Sequence, residues 1–320
     1  MLRGMHSLPD SPLWLHPSVL IYEPALYGSE KLMKVFWIFL ALYAFCAQSV
    51  YAIDEGTAQG TLAINNETIT LTHSYAHLHD NAEGLLESPK ELRIVLSDRE
   101  IPYESLRGIV FLPVEDMARE NRVRGLLMTL DPQDQSKVVV TLLTQPAKSG
   151  QSLMTLTLSA TGEKLFKKLV LSNVRVTGEV ERADTRESGD QDLPKLSYAV
   201  KFSAPLFKEL PVTANFTGKA AQNSHQAKVY REKITALKKG DFEAVKRLSS
   251  ERANRRDAAM LAHMDDVTKE AFAAEAAADM EKSLKSIKRI VVRGDSAIII
   301  FSEKQWTTFV REGGQWKTDD

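Results

Sequence analysis

The densest run of chemistry-bearing side chains is His73-Ser74-Tyr75-Ala76-His77-Leu78-His79-Asp80. On a β-strand alternate side chains share a face, so His73, Tyr75, His77 and His79 would stand together, with His77 and His79 about 6.6–7 Å apart. Two imidazoles at that spacing can share a divalent metal, with His73, Asp80 or a residue of a neighbouring strand completing the shell. The competing reading is structural. His73 continues the face of Ile69 and Leu71, where a hydrogen-bonded core or edge histidine is ordinary.

A second cluster is basic: Lys238, Lys239, Lys246, Arg247, Arg252, Arg255 and Arg256, set against Asp241, Glu243 and Glu251. It could meet anionic lipid, polysaccharide or an acidic partner, or be a solvated helical surface. No aromatic residues interleave with the charges, so nucleic acid is not expected. The sequence lacks H-E-x-x-H, G-x-S-x-G, G-x-x-x-x-G-K-[ST] and C-x-x-C, and no catalytic set or organic cofactor is assigned. Asn66-Glu67-Thr68 and Asn215-Phe216-Thr217 match the N-glycosylation pattern, which matters only in a eukaryotic secretory pathway. With 320 residues, 41 Lys plus Arg, 42 Asp plus Glu and 43% hydrophobic residues, the composition is that of a globular protein without a charge footprint for nucleic acid or anionic lipid. One cysteine, Cys46, excludes an internal disulfide and a thiolate metal site.

The apolar run Val35–Ala47 is 13 residues long. It is too short to span a bilayer, which takes about 20 residues, and it fits the core of a secretory signal. Lys31 and Lys34 supply the positive flank, and Val50-Tyr51-Ala52 places small residues where signal peptidase reads, predicting cleavage between Ala52 and Ile53. Cys46 would leave with the signal, and Phe45 is bulky where lipoprotein processing needs a small residue. Residues 1–32, with Pro9, Pro12, Pro17 and Pro24, read as an upstream extension, not native or removed with the signal at 33–52. A buried apolar helix is the competing reading of the run. The expected mature chain is periplasmic or secreted, without cysteine or a transmembrane segment, and relies on burial and sheet pairing.

The elements that must position these residues give an α+β fold. Residues 53–220 read as a β-rich domain, an antiparallel sandwich or barrel. The Asn65-Asn66 turn joins Thr61–Ile64 to Glu67–Leu78. Leu92–Leu96 follows, then a short helix over Leu112–Asn121 with Pro113 at its start, and then strands at Leu126–Leu130, Val138–Thr144, Leu153–Leu158, Val170–Val180, Leu196–Phe202 and Val212–Phe216. The charged stretch Glu181–Asp192 reads as an exposed loop. Over 224–320 the period changes to that of helices, with Ala227, Tyr230, Ile234 and Leu237 on one stripe, Gly240 as a stop and Asp241 as the next N-cap. Ser249 or Ser250 caps a third helix carrying Met260, Met264, Val267 and Ala271, and the run goes on through Phe272, Met280 and Leu284. Two hairpins close the chain, turning at Gly294-Asp295 and Gly313-Gly314. Ile298-Ile299-Ile300-Phe301 puts apolar groups on both faces of this small sheet, so one face takes the helices and the other needs cover from the β-rich domain, a second copy in a homodimer, or a ligand.

Ala236-Leu237-Lys238-Lys239-Gly240-Asp241-Phe242-Glu243-Ala244-Val245 and Arg311-Glu312-Gly313-Gly314-Gln315-Trp316-Lys317 resemble the opening and closing segments of small domains in the nuclear-transport-factor-2-like superfamily, a cone of helices and sheet. Gly60–Ala76, followed by Val95-Leu96-Ser97-Asp98, is similar to exported bacterial proteins of the same two-part layout. The superfamily resemblance implies either a non-catalytic binding or assembly module or a small-molecule isomerase or hydrolase with an Asp, His or Tyr pair inside the cone. Here the sheet offers chiefly Arg293, Glu303 and Trp306, with Asp295 in a turn, which is no evident acid/base pair. The expectation is a non-catalytic envelope protein that binds a protein or small ligand.

Overall fold

The computed structural model describes residues 56–108, 112–135, 137–146, 152–159, 165–183 and 195–319. All fall within one compact unit, residues 53–320. The extension, the signal, the Ala52/Ile53 junction, Cys46 and residues 184–192 of the charged stretch lie outside the described residues.

The first part of the chain forms a single curled antiparallel sheet of nine strands, a half-barrel: β1 (Thr57–Ile64), β2 (Glu67–Asp80), β3 (Lys90–Ser97), β4 (Gly125–Leu130), β5 (Lys137–Leu143), β6 (Thr155–Ser159), β7 (Phe166–Leu171), β8 (Arg175–Arg182) and β9 (Leu196–Lys208), in the order β6-β5-β4-β3-β2-β1-β9-β8-β7. Asn65 turns the first hairpin at φ +54°, a conformation Asn tolerates better than other side chains. Beside it β1 and β9 run very close, and a Cβ on Gly60 would sit 2.0 Å from the Ala199 carbonyl oxygen. The concave face is lined by alternate residues of successive strands, among them Leu92, Ile94 and Leu96, Leu126 and Met128, Val138 and Val140, and Tyr198, Val200 and Phe202. The convex face carries a second cluster in which Val95, Leu127 and Leu143 pack under a 3-10 turn (Tyr103–Leu106) and helix α1 (Pro113–Arg119). Pro113 opens that helix at a position where no backbone donor is needed.

The second part is a five-stranded antiparallel sheet, β10 (Ala214–Thr217), β11 (Arg289–Arg293), β12 (Ser296–Ser302), β13 (Gln305–Glu312) and β14 (Gln315–Thr318), in that spatial order. Five helices precede β11: α2 (Gly218–Gln222), α3 (His225–Lys238), α4 (Phe242–Leu248), α5 (Glu251–Leu261) and α6 (Asp266–Leu284). Their boundaries follow local chemistry. Ser224, Asp241, Ser250 and Asp265 each accept a hydrogen bond from the amide three residues on, satisfying a donor that the first helical turn leaves free. Tyr230 and Ile234 of α3 and Met280 and Leu284 of α6 pack on Ile290, Ile299, Phe301, Phe309 and Trp316.

Three expectations need correction. Val170–Val180 is two strands, because Ser172-Asn173 turns the chain, with the Ser172 hydroxyl accepting from the Arg175 amide at 3.0 Å. The strand expected at Val212–Phe216 belongs to the second sheet as β10, where Asn215 pairs with Val291. The third helix does not run through Met264, since Asp265 caps a new helix. Met260 (42% exposed), Val267 (77%) and Phe272 (40%) face outward instead of lining a core.

Candidate functional site

The register of β2 creates the site. Its ladder with β1 shifts between Thr57 and Gly60, where Ala58 and Gln59 of β1 oppose Thr72 alone, and past this bulge the other alternate set of β2 side chains enters the core. Ile69 and Leu71 belong to the concave core, but beyond the shift Ala76 and Leu78 do so, and Tyr75 packs with the convex cluster. His73 therefore does not continue the Ile69/Leu71 face. His77 and His79 pair across β3 with Arg93 and Glu91. The end of β9 runs parallel to β2, with Leu78 opposite Lys208, so Glu209 arrives beside His79 and its amide donates to the Leu78 carbonyl at 3.1 Å.

The fourth member comes from the loop after β2. Asn81 organises that loop: its side-chain oxygen accepts from the amides of Leu85 and Leu86, and its amide group donates to the carbonyls of Leu86 and Ser88. Glu83 is thereby turned back onto His79, with Nε2 to Oε2 at 3.3 Å, while His79 Nδ1 lies 2.9 Å from Glu209 Oε2. One imidazole is held between two carboxylates. From the second sheet Arg293 reaches across, donating through Nε to Glu83 Oε1 at 2.7 Å and through its terminal nitrogens to the Leu210 carbonyl and to Asp80. Arg289, four residues earlier on the same face of β11, donates to the Glu83 carbonyl. Arg93 donates to the carbonyls of Leu106 and Gly108 and to Glu91, and Arg107 lies 3.5 Å from Glu209.

His77, His79, Glu83, Arg93 and Arg293 are all buried. Burial depresses the proton affinity of His79, but the hydrogen bond to Glu209 and the close Glu83 carboxylate outweigh this and raise its pKa above the ordinary histidine value. Burial would raise both carboxyls. The hydrogen bonds from His79 and Arg293 bring Glu83 down to about 2, and those from His79, with the charge of its surroundings, bring Glu209 down to about 2. His77 is different. Burial pulls it down to about 4 against the attraction of Glu209, 3.6 Å away, and neither ring nitrogen has a hydrogen-bond partner within the protein. Burial thus keeps His77 a neutral imidazole at neutral pH, while the two carboxylates favour the protonated form of His79.

The candidate metal ligands separate accordingly. His73 stands on the half-exposed part of β2, with Nδ1 2.9 Å from the Thr72 hydroxyl, and Asp80 is taken by Arg293. Only His77 and His79 are brought together, with ring centroids 6.4 Å apart. Among the described residues no group of three or more His, Cys, Asp or Glu is arranged to hold a metal ion. Of the basic cluster, Lys238 pairs with Glu281, Lys246 with Glu243 and Arg255 with Glu120, while Lys239, Arg247 and Arg256 are exposed. Arg252 joins Asp319 at 2.7 Å to Asp116 of α1 at 3.2 Å, a second link between the two parts.

Glu83, Glu209 and Arg93 are the members that motif reading misses. Their available signals were a lone arginine inside Leu92-Arg93-Ile94-Val95-Leu96 and a glutamate directly after a long strand. Comparison with protein-family models, curated proteins and solved structures finds no match for the chain.

Proposed function

We propose that the protein is exported to the bacterial envelope and works there as a non-catalytic binding or assembly protein, its second part being a domain of the nuclear-transport-factor-2-like kind. The observation that carries this reading is the filled interior between the helices and the second sheet. There Tyr230 packs against Phe301 with ring centroids 5.5 Å apart, among Ile234, Ile299, Phe309 and Trp316. An isomerase or hydrolase of the resembled superfamily would keep its acid/base pair in that space. Here the buried ionisable groups at the junction of the sheets are paired chiefly with one another, an arrangement that holds structure together.

The test is native mass spectrometry of the protein recovered from the producing cell's envelope, combined with turnover assays on small esters and enolisable ketones. A second component in constant stoichiometry, with no turnover, is the expected result. Turnover that falls in a Tyr230→Phe variant, which keeps the packing and removes the hydroxyl, would establish the enzyme reading instead.

A further inference from the structure

β7 ends the nine-stranded sheet, and among the described residues its strand neighbour is β8 alone. A terminal strand leaves the outward N–H and C=O groups of alternate residues unpaired, and soluble proteins guard such edges with lysines, bulges or short length. The first half of β7 is guarded in this way. Its register with β8 shifts between Phe166 and Lys168, Lys167 and Lys168 are exposed, and Lys167 is paired with Glu181. The second half is not. Val170 is 46% exposed, Leu171 40%, and Val174, just past the turn, 70%. The terminal strands of the second sheet differ, since β10 and β14 have four residues each and expose Asn215, Thr217 and Gln315.

We infer that the open half of β7 is a docking edge for the β7 of a second copy of this chain, paired antiparallel about a two-fold axis at Val170. The sequence is self-complementary in that register. Val170 meets Val170, Leu169 meets Leu171, and Lys168 and Lys167 fall opposite Ser172 and Asn173, so no lysine faces a lysine. The two half-barrels then share one continuous sheet, and the apolar side chains left outside the cores cover each other. This contact uses the nine-stranded sheet and no strand of the second sheet. The Val291, Ile298 and Ile300 face there, expected from sequence to need cover, has Leu85 of the 81–89 loop and Trp306 packed on it.

Sedimentation velocity of the purified chain from about 1 to about 100 µM brackets the affinity of so small an interface. A monomer–dimer equilibrium is expected. Val170→Lys, which sets two ammonium groups face to face, should weaken it at least about tenfold with unchanged circular dichroism, and Val170→Thr should retain it. Hydrogen exchange of the unmodified chain gives a readout without substitution: amides within Lys168–Ser172 should gain protection as concentration rises. A chain that stays monomeric throughout, as it would if the edge served a strand of a different protein, overturns the inference. So does a dimer insensitive to Val170→Lys, or unchanged exchange in β7.

Discussion

Arg293 shows what a single buried charge does here. It pairs with Glu83 and Asp80 and caps the Leu210 carbonyl, so Arg293→Ala takes the guanidinium away from the buried Glu83 carboxylate and leaves it with His79. A loss of about 3–5 kcal/mol is expected from urea unfolding, mostly from the stranded partner and not from the net worth of the pair. The two histidines pull stability in opposite directions with pH. His79 has its pKa raised in the fold, so its contribution is complete below the unfolded value and is lost as pH rises through the folded one. His77 is lowered to about 4, so the unfolded chain takes up its proton first, and stability falls as pH drops from about 6.5 toward that value. Glu83 and Glu209, both lowered to about 2, add a further loss as pH falls below about 4.5. Chemical denaturation across pH should show His77→Gln flattening the limb between about pH 4 and 6.5, a change on the order of 3 kcal/mol, while His79→Gln flattens the alkaline side. A His77→Gln profile that matches the unmodified protein would exclude His77 as the titrating group.

At the scale of elements, the 81–89 loop turns a strand end into a junction. Asn81 makes four hydrogen bonds inside it, Glu83 faces back to β2, and Leu85 packs on Val291, Ile298 and Ile300. Asn81→Ala should cost about 2–3 kcal/mol, since backbone groups of a partly buried loop lose their partners. It should also raise hydrogen exchange in β11 and β12, across the junction, and not only in the loop. Exchange changes confined to residues 81–89 would show that the loop does not support the second sheet. The same scale explains the misread face of β2: strict alternation carried His73 with Ile69 and Leu71, whereas past the bulge that β1 makes opposite Thr72 it is Ala76 and Leu78 that join the Ile69/Leu71 core, and Tyr75 packs on the other face.

For the whole molecule, the Asp80/Glu83–Arg293 contact and the Asp116–Arg252–Asp319 contact tie the half-barrel to the second sheet. Calorimetry of the unmodified protein should give one cooperative transition, and Arg252→Ala combined with Arg293→Ala should divide it into two. A single transition in the double variant would place the coupling in apolar contacts such as Leu85 on the isoleucine face. Among the described residues no helix is long and apolar enough to cross a membrane. Much of this architecture was legible in the sequence, because its causes are local. Alternation marked most of the strands, Asn65 and the Gly313-Gly314 pair marked turns by their tolerance of positive φ, and Asp241 and Ser250 or Ser249 marked helix starts by their side-chain oxygens. The site was legible only in part. His77 and His79 stood out by type and spacing, but Glu83, Glu209 and Arg293, which complete the cluster, come from a loop, a strand end and a separate sheet, with Arg293 210 positions along the chain from Glu83. Local pattern determined which segments become strands and helices. Tertiary structure alone decided that the histidines meet carboxylates and arginines, because an ion pair between elements is set by register and packing, to which neighbouring residues in sequence carry no key.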